Sequence, residues 1–228
     1  MPGWRVRVVP NLYPALERQE VVVHTPRHAK SVGELSAEEI GFVAQAWAMR
    51  SVAALEAGYP YVQALVNEGR DAGASRGHSH SQLVWLREPP PAVLEEAGQG
   101  QCPLCTHLGG ELADARRVVA RRDGLVVLAS YAGRLPYELL IAPEAHPETT
   151  GLGSPRLPAA LALLGDAVGR LRELEGPLPL NAWLHDGGHW HLEVVPRLSV
   201  LAGLELGAGI YVNWLPPEEA AERLRRAA

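Results

Sequence analysis

The order of motifs in this chain occurs twice, and the duplication constrains the fold more than any other feature of the sequence. His28 precedes a helix pattern, a strand pattern and His78-Ser79-His80, and His146 precedes the same series ending at His189-Trp190-His191. The two copies differ in loop length but keep the order His, helix, strand, His-x-His. We therefore predict an α+β protein with two related units, residues 1–92 and residues 93–228.

Each copy contains the hydrophobic patterns of two strands, a long helix and two further strands. Ser36-Ala37-Glu38-Glu39 is a capping box that predicts the start of the first helix, which should end near Gly58. The second helix is predicted at about 154–175. We expect an antiparallel sheet in each half, from strands at 4–9, 20–24, 61–66 and 81–86, and at 124–129, 137–142, 180–184 and 189–195.

Composition excludes several classes of protein. The chain is 47% hydrophobic and 21% charged, as expected for a globular protein with a full core. It contains no run of 18 or more apolar residues and no apolar signal region after Met1, so we expect a cytoplasmic protein that does not bind membranes. A net charge of -5 argues against binding to a nucleic acid polymer, whereas a small anionic ligand needs only a few local donors.

The first His-x-His motif has the features of a nucleophilic site. Residues two apart on a strand face the same side, so His80 and Gln82 should project together. The preceding loop, 67–77, contains three glycines, which let backbone amides approach an anion. A neutral imidazole can attack phosphorus. An isolated His-x-His is more often a pair of ordinary polar residues, but the loop, the glutamine and the repeat favour the nucleophile.

The segment from Asn67 to Gln82 resembles the active site of the galactose-1-phosphate uridylyltransferase family. This branch of the histidine-triad superfamily includes ADP-glucose phosphorylases and diadenosine tetraphosphate phosphorylases, and its pattern is Asn-x-Gly, then Gly-x-Ser-x-x-His-Pro-His-x-Gln. Segments 7–16, 25–28 and 204–225 are also similar to family blocks. The resemblance implies a duplicated histidine-triad-like fold and a nucleotidyltransferase or phosphorylase that acts on a nucleoside diphosphate sugar or a dinucleotide.

The resemblance also implies roles for individual residues. His80 is expected to be the covalent nucleophile, in a catalytic group with His78 and Gln82. Hydrolases of the superfamily carry a third histidine where this chain has Gln82, so transfer to a phosphorylated acceptor is favoured over transfer to water. Further residues are expected to bind the substrate: Ser75 at the phosphate, Asn67 and Gly73 in the loop, Asn11 near the nucleobase and Glu205 near the sugar.

Cys102-Pro103-Leu104-Cys105 predicts a metal site in the second half. In a cytosolic chain this spacing favours a metal or redox pair over a disulfide. The repeat adds His146 and His189, and two sulfurs with two imidazoles form a closed tetrahedral Zn²⁺ site of structural type. Similar clusters occur in the ADP-glucose phosphorylase branch. We expect one zinc ion and no organic cofactor, with reduced, metal-free cysteines as the alternative and Glu111 and His185 as reserve ligands.

The chain departs from the family pattern at several positions. Typical members have a further segment with another Cys-x-x-Cys before the position of Trp4, so we expect His28 and His78 to have no sulfur partners. Ser79 replaces the usual proline. Glu193 stands where the second copy would need a glutamine, which indicates a degenerate, unreactive half.

Two other functions remain open at this stage. One is hydrolysis of small nucleotides, and the other is a catalytically silent, zinc-stabilised nucleotide-binding protein. The resemblance further implies a homodimer.

Overall fold

The computed structural model describes residues 3–96 and 101–227. The strands within these ranges are β1 (Arg7–Pro10), β2 (Arg18–Val23), β3 (Tyr61–Glu68), β4 (His80–Leu86), β5 (Val118–Arg122), β6 (Leu125–Ala129), β7 (Leu139–Pro143), β8 (Leu180–His185) and β9 (His191–Pro196). The helices are α1 (Ala37–Glu56), α2 (Pro91–Glu96), α3 (Pro103–Asp114), α4 (Leu157–Glu175), α5 (Gly203–Ala208) and α6 (Pro217–Arg226).

The strands form one antiparallel sheet whose order reveals the duplication. The order is β1-β2-β4-β3-β8-β9-β7-β6-β5, so the first four strands and the set β8-β9-β7-β6 mirror each other across the β3–β8 pair. Leu65 pairs with Trp183 and Asn67 with Asn181 at this junction. The predicted α+β class and the duplicated unit are confirmed. The sheet runs continuously from one half into the other, and a boundary at residue 92 stays a prediction.

The long helices α1 and α4 pack on one face of the sheet. The capping box of α1 is present, because Ser36 Oγ accepts from Glu39 N at 3.2 Å and Ser36 N donates to Glu39 Oε2 at 2.8 Å. The core between the helices and the sheet includes Trp47, Leu83 and Leu164, each at most 1% exposed. Burial of each such side chain contributes about 1.5–3 kcal/mol. With this face covered, the polar side chains of the central strands project from the other face.

Several elements lie outside the sequence prediction. β5 pairs with β6, and α3 packs Leu108 against Val126 and Leu128 on the open face of the sheet. Pro91 begins the short helix α2, which the sequence patterns do not predict. β1 begins at Arg7, later than predicted. None of the helices in the described ranges is both long and apolar enough to cross a membrane.

Candidate active site

His80 lies at the start of β4, and its hydrogen bond determines which ring nitrogen is free. His80 Nδ1 is 2.8 Å from the carbonyl oxygen of His78. A carbonyl only accepts, so Nδ1 carries the proton and Nε2 retains its lone pair. His78 is oriented in turn, because its Nε2 lies 2.8 Å from the Thr25 carbonyl. The predicted nucleophile therefore has the tautomer that an attacking Nε2 requires.

The glycine loop and His80 line one open cleft of about 1020 Å³. Asn67, Ser75 and His78 also line it, so the structure brings these predicted residues together. Gly73 has φ +85°, a left-handed conformation that favours glycine. Gly69 has φ +79°, and a Cβ there would lie 2.9 Å from Pro179. These glycines let the loop fold against the segment that precedes β8.

Gln82 faces the same side as His80, and a neighbouring side chain sets its orientation. Ala15 N donates to Gln19 Oε1 at 2.8 Å, so the Gln19 amide nitrogen must be on the other side, where it donates to Gln82 Oε1. This leaves the Gln82 NH₂ group free to donate to an anionic oxygen. Gln19 cannot be identified from the sequence alone, because its contact depends on the pairing of β2 with β4.

Asn67 is oriented by a second residue that the sequence did not indicate. Asn181 Nδ2 donates to the Ala72 carbonyl at 2.9 Å and to Asn67 Oδ1 at 2.8 Å. The Asn67 NH₂ group is therefore available to a ligand. Asn67 also lines a second open cleft of about 690 Å³, with Trp183 and Glu96. The β3–β8 junction thus joins the two clefts.

Three predicted substrate residues, Asn11, Gly73 and Glu205, do not line the cleft, and neither does the predicted catalytic residue Gln82. Asn11 follows β1, where its Oδ1 accepts from Tyr13 N at 3.1 Å and its own N–H donates to Gln19 O at 2.8 Å. It therefore lies beside Gln19 rather than beside His80. Glu205 lies on α5, where Ala202 N donates to its carboxylate at 2.9 Å. Their roles toward the nucleobase and the sugar stay predictions.

The four predicted metal ligands converge. Cys102 and Cys105 come from the start of α3, His146 from the loop after β7 and His189 from the loop before β9, and their ligand atoms all lie within 4.8 Å of one another. The cysteine Sγ atoms lie 3.3–3.6 Å from the histidine Nδ1 atoms that they contact. On a tetrahedral zinc ion, with Zn–S near 2.3 Å and Zn–N near 2.1 Å, a sulfur and a nitrogen lie about 3.6 Å apart. The donor set fits that ion.

The surroundings of this cluster also suit a metal. His189 Nε2 lies 2.9 Å from the Pro143 carbonyl, which leaves Nδ1 as the ligand. Burial lowers the pKa of His189 and so favours the neutral, ligating imidazole. Burial, with the neighbouring Cys102, raises the pKa of Cys105, and a bound cation would reverse that effect.

A second cluster consists of Glu96, His185, His191 and Glu193, whose ligand atoms also lie within 4.8 Å of one another. The His185 and His191 rings stack at 4.8 Å. His185, expected as a reserve ligand, thus lies outside the cysteine cluster. Glu111, the other reserve ligand, is buried beside Arg117, whose Nε and Nη2 donate to its two carboxylate oxygens at 2.8 Å each. That carboxylate is occupied by an ion pair.

Comparisons with known sequences indicate the family. The profile described as "Galactose-1-phosphate uridyl transferase, N-terminal domain" matches residues 14–90. The ADP-glucose phosphorylase of Arabidopsis thaliana is 28% identical over 275 aligned residues, which cover 100% of this chain and 76% of the relative. The galactose-1-phosphate uridylyltransferase of Thermotoga maritima is 26% identical, over 90% of this chain and 73% of that protein.

Solved structures agree with the sequence comparison. An ADP-glucose phosphorylase from A. thaliana, with bound ADP-glucose, superimposes with a TM-score of 0.86 at 27% identity and covers 100% of this chain and 84% of its own. A uridylyltransferase structure gives a TM-score of 0.88 at 25% identity and covers 99% and 85%. The fold and the paired His-x-His motifs define a duplicated histidine-triad protein. Within that class, the chain is similar in sequence and in fold to the galactose-1-phosphate uridylyltransferase family.

Proposed function

We propose that this chain is a nucleotidyltransferase or phosphorylase that acts on a nucleoside diphosphate sugar or a dinucleotide through a covalent nucleotidyl-histidine on His80. The names of the relatives support the nucleotidyltransferase class. The observation that carries the residue assignment is the bond from His80 Nδ1 to the His78 carbonyl, which leaves an unprotonated Nε2 in the cleft. The relatives include an ADP-glucose phosphorylase and several galactose-1-phosphate uridylyltransferases.

The reaction has two balanced steps. In the first, the Nε2 lone pair of His80 attacks the α-phosphorus, an N–P bond forms, and the bridging P–O bond breaks with its electron pair leaving on the sugar phosphate. In the second, a phosphate oxygen of the acceptor attacks the same phosphorus and the N–P bond breaks, which regenerates neutral imidazole. Gln82 would donate its NH₂ to a phosphoryl oxygen in both steps. A neutral amide has no proton to give to a leaving group.

Cationic side chains of the cleft support a phosphorylated acceptor. Lys30, Arg70 and Arg76 line the cleft with His80, and within the described ranges none of their charged nitrogens has a carboxylate oxygen within 4.0 Å. Most other arginines form ion pairs, as Arg172 does with Glu34 at 2.9 Å. Unpaired cations beside a nucleophile attract a dianionic group and raise its local concentration.

In the second half, Cys102, Cys105, His146 and His189 would hold one zinc ion. With four protein ligands no coordination position remains for substrate, so the ion would stabilise the fold by connecting α3 to the loops beside β7 and β9. We also propose a homodimer. The segment around α5 supports it, since Val200, Leu206 and Trp214 are 90%, 74% and 57% exposed.

Intact-mass measurement after incubation with UDP-glucose, ADP-glucose or diadenosine tetraphosphate tests the proposal. The protein should gain the mass of one nucleotidyl group, and His80→Asn should abolish the gain. His107→Asn, a change on the surface of α3, should keep it. The proposal fails if no adduct forms with a broad nucleotide panel or if His80→Asn still forms one. Release of free nucleotide without an acceptor would instead identify a hydrolase.

A further inference from the structure

Ser79, which lies between His78 and His80, is fixed at three atoms. Its N–H donates to the Ala29 carbonyl at 2.8 Å, and its carbonyl accepts from His24 N at 3.2 Å. Its hydroxyl lies 2.9 Å from His24 Nδ1. Both side chains are buried, with Ser79 2% and His24 1% exposed. Two of the three bonds that fix Ser79 therefore come from His24.

The position of Ser79 affects the nucleophile His80 through the peptide group that precedes Ser79. The peptide group between His78 and Ser79 carries the carbonyl that accepts from His80 Nδ1 at 2.8 Å. If this peptide rotated, the carbonyl would turn away and the His80 ring would lose the partner that sets its tautomer and direction. A proline at this position would restrict the backbone through its ring. A serine needs external contacts to achieve the same restriction.

His24 is placed unfavourably for stability. Its Nε2 is buried and, among the described residues, has no hydrogen-bond partner. His24 borders a void of about 10 Å³ that is otherwise lined by hydrophobic side chains such as Leu35, Ile40 and Leu164. A water there would have a single polar partner, whereas buried waters make two to four hydrogen bonds. An apolar side chain would fill this site better, so packing alone does not explain a histidine.

The second half provides an internal comparison. Trp190 occupies the position of Ser79, and the matching end of β7, Ala142 and Pro143, carries no polar side chain. The buried His24–Ser79 pair therefore occurs only in the half that contains His80 and Gln82.

We propose that His24 is a positioning residue for His80, which acts through Ser79 and the His78 carbonyl. This inference rests on the proposed function. Burial lowers the pKa of His24 to about 3, so the ring stays neutral over the working pH range and exchanges no proton with substrate. Its contribution is the hydrogen bond between Nδ1 and the Ser79 hydroxyl, which holds Ser79 in place behind the nucleophile.

Two variants of His24 separate this role from packing. His24→Asn keeps a polar atom near the position of Nδ1, whereas His24→Phe removes it and fills the void. We expect His24→Phe to slow adduct formation about tenfold or more at an unchanged KM and an unchanged or higher Tm, since small displacements of a reacting group cost rates of this order. His24→Asn should remain within about twofold of wild type in rate.

A double variant and a pH profile complete the test. In His24→Phe/Ser79→Ala the hydroxyl is removed as well, and because the two side chains act through one hydrogen bond, the rate should fall no further than in His24→Phe. The pH profile of adduct formation should keep its shape in all three variants. A wild-type rate in His24→Phe, a rate loss that follows Tm, a further rate loss in the double variant, or a shifted pH profile overturns the inference. Absence of an adduct in the wild-type protein would refute the proposed function itself.

Discussion

At the scale of single residues, hydrogen bonds to carbonyl groups distinguish the atoms that can react from those that cannot. His80 Nδ1 and His191 Nδ1 each bond to the carbonyl two residues earlier, at 2.8 and 3.1 Å, so both copies share one tautomer. The two copies differ at the side chain two residues further along the same strand face, which is the neutral Gln82 in one half and Glu193 in the other. Glu193 lies 3.9 Å from His191 Nε2, where a substrate phosphate would have to bind. The Glu193 carboxylate and a substrate phosphate would repel each other there, because both are negatively charged.

A first prediction concerns Gln19. Gln19→Leu removes the donor that holds Gln82 Oε1, so the Gln82 amide can turn and its NH₂ no longer points only toward a phosphate. We expect adduct formation to slow by about tenfold, as for the loss of one hydrogen bond to a charged group. Gln63→Leu, on the neighbouring strand β3, serves as the control in the same single-turnover assay. Equal rates for Gln19→Leu and wild type would show that Gln82 is oriented without Gln19.

At the scale of elements, local patterns predicted some structures and long-range pairing decided the others. The capping box at Ser36 and the period of α1 can be read from the sequence, and so can the two His-x-His strands. The contacts Gln19–Gln82 and Asn181–Asn67 depend on which strands become neighbours. β5 has five residues and ends in two arginines, so its alternation of apolar and polar residues is too short to recognise in the sequence. Site residues within a motif were therefore predictable, and the residues that orient them were not.

A second prediction concerns the metal cluster at the start of α3. Purified protein should contain about one zinc ion per chain by elemental analysis, as expected for a closed four-ligand site. Cys105→Ser should lose the metal and lower Tm, because the ion would connect α3 to the loops at β7 and β9. His107→Ser, on the same helix but outside the cluster, should keep both. Full Tm in Cys105→Ser, with no zinc in the wild type, would contradict a structural ion.

A third prediction concerns Asp186, which follows β8 and accepts from Gly151 N and Leu152 N. Burial raises the pKa of this carboxyl to about 6, above the unfolded value of about 3.9. The folded state therefore holds the proton more tightly, and the stability associated with it is present below about pH 4 and is lost as the pH rises through about 6.

Asp186→Asn keeps an acceptor for both N–H groups and removes the charge. We expect the free energy of unfolding to rise by up to about 3 kcal/mol at pH 7 and to change little at pH 4. Urea denaturation at the two pH values measures the difference, with Asp166→Asn on α4 as the control. An equal effect at both pH values would mean that folding does not raise the pKa of Asp186.

At the scale of the whole molecule, duplication has produced one sheet with two unlike sites. The pairing of β3 with β8 places the glycine loop of the first half against the segment before β8 of the second. The cleft beside His80 consequently includes Leu178 and Pro179 from the second half. The repeat could be inferred from the order of its motifs. The joining of both halves into a single sheet could not, because β3 and β8 are far apart in the chain.

A fourth prediction concerns assembly. The apolar side chains around α5 should be covered by a second copy, so light scattering coupled to size exclusion should give the mass of a dimer. Leu206→Asp should shift the protein to the monomer, since it places a charge in an apolar interface. Val52→Asp, on the exposed side of α1, should leave the dimer intact. A monomeric wild-type protein at micromolar concentration would contradict this assembly.

The most direct test of the account is to identify the atom that carries the nucleotidyl group. Protein with ¹⁵N-labelled histidine, trapped with a reactive nucleotide donor, can be examined by phosphorus–nitrogen correlation NMR. Because His80 Nδ1 is held by the His78 carbonyl, the account predicts coupling between phosphorus and His80 Nε2 alone. Coupling to Nδ1, or to any histidine other than His80, would contradict it.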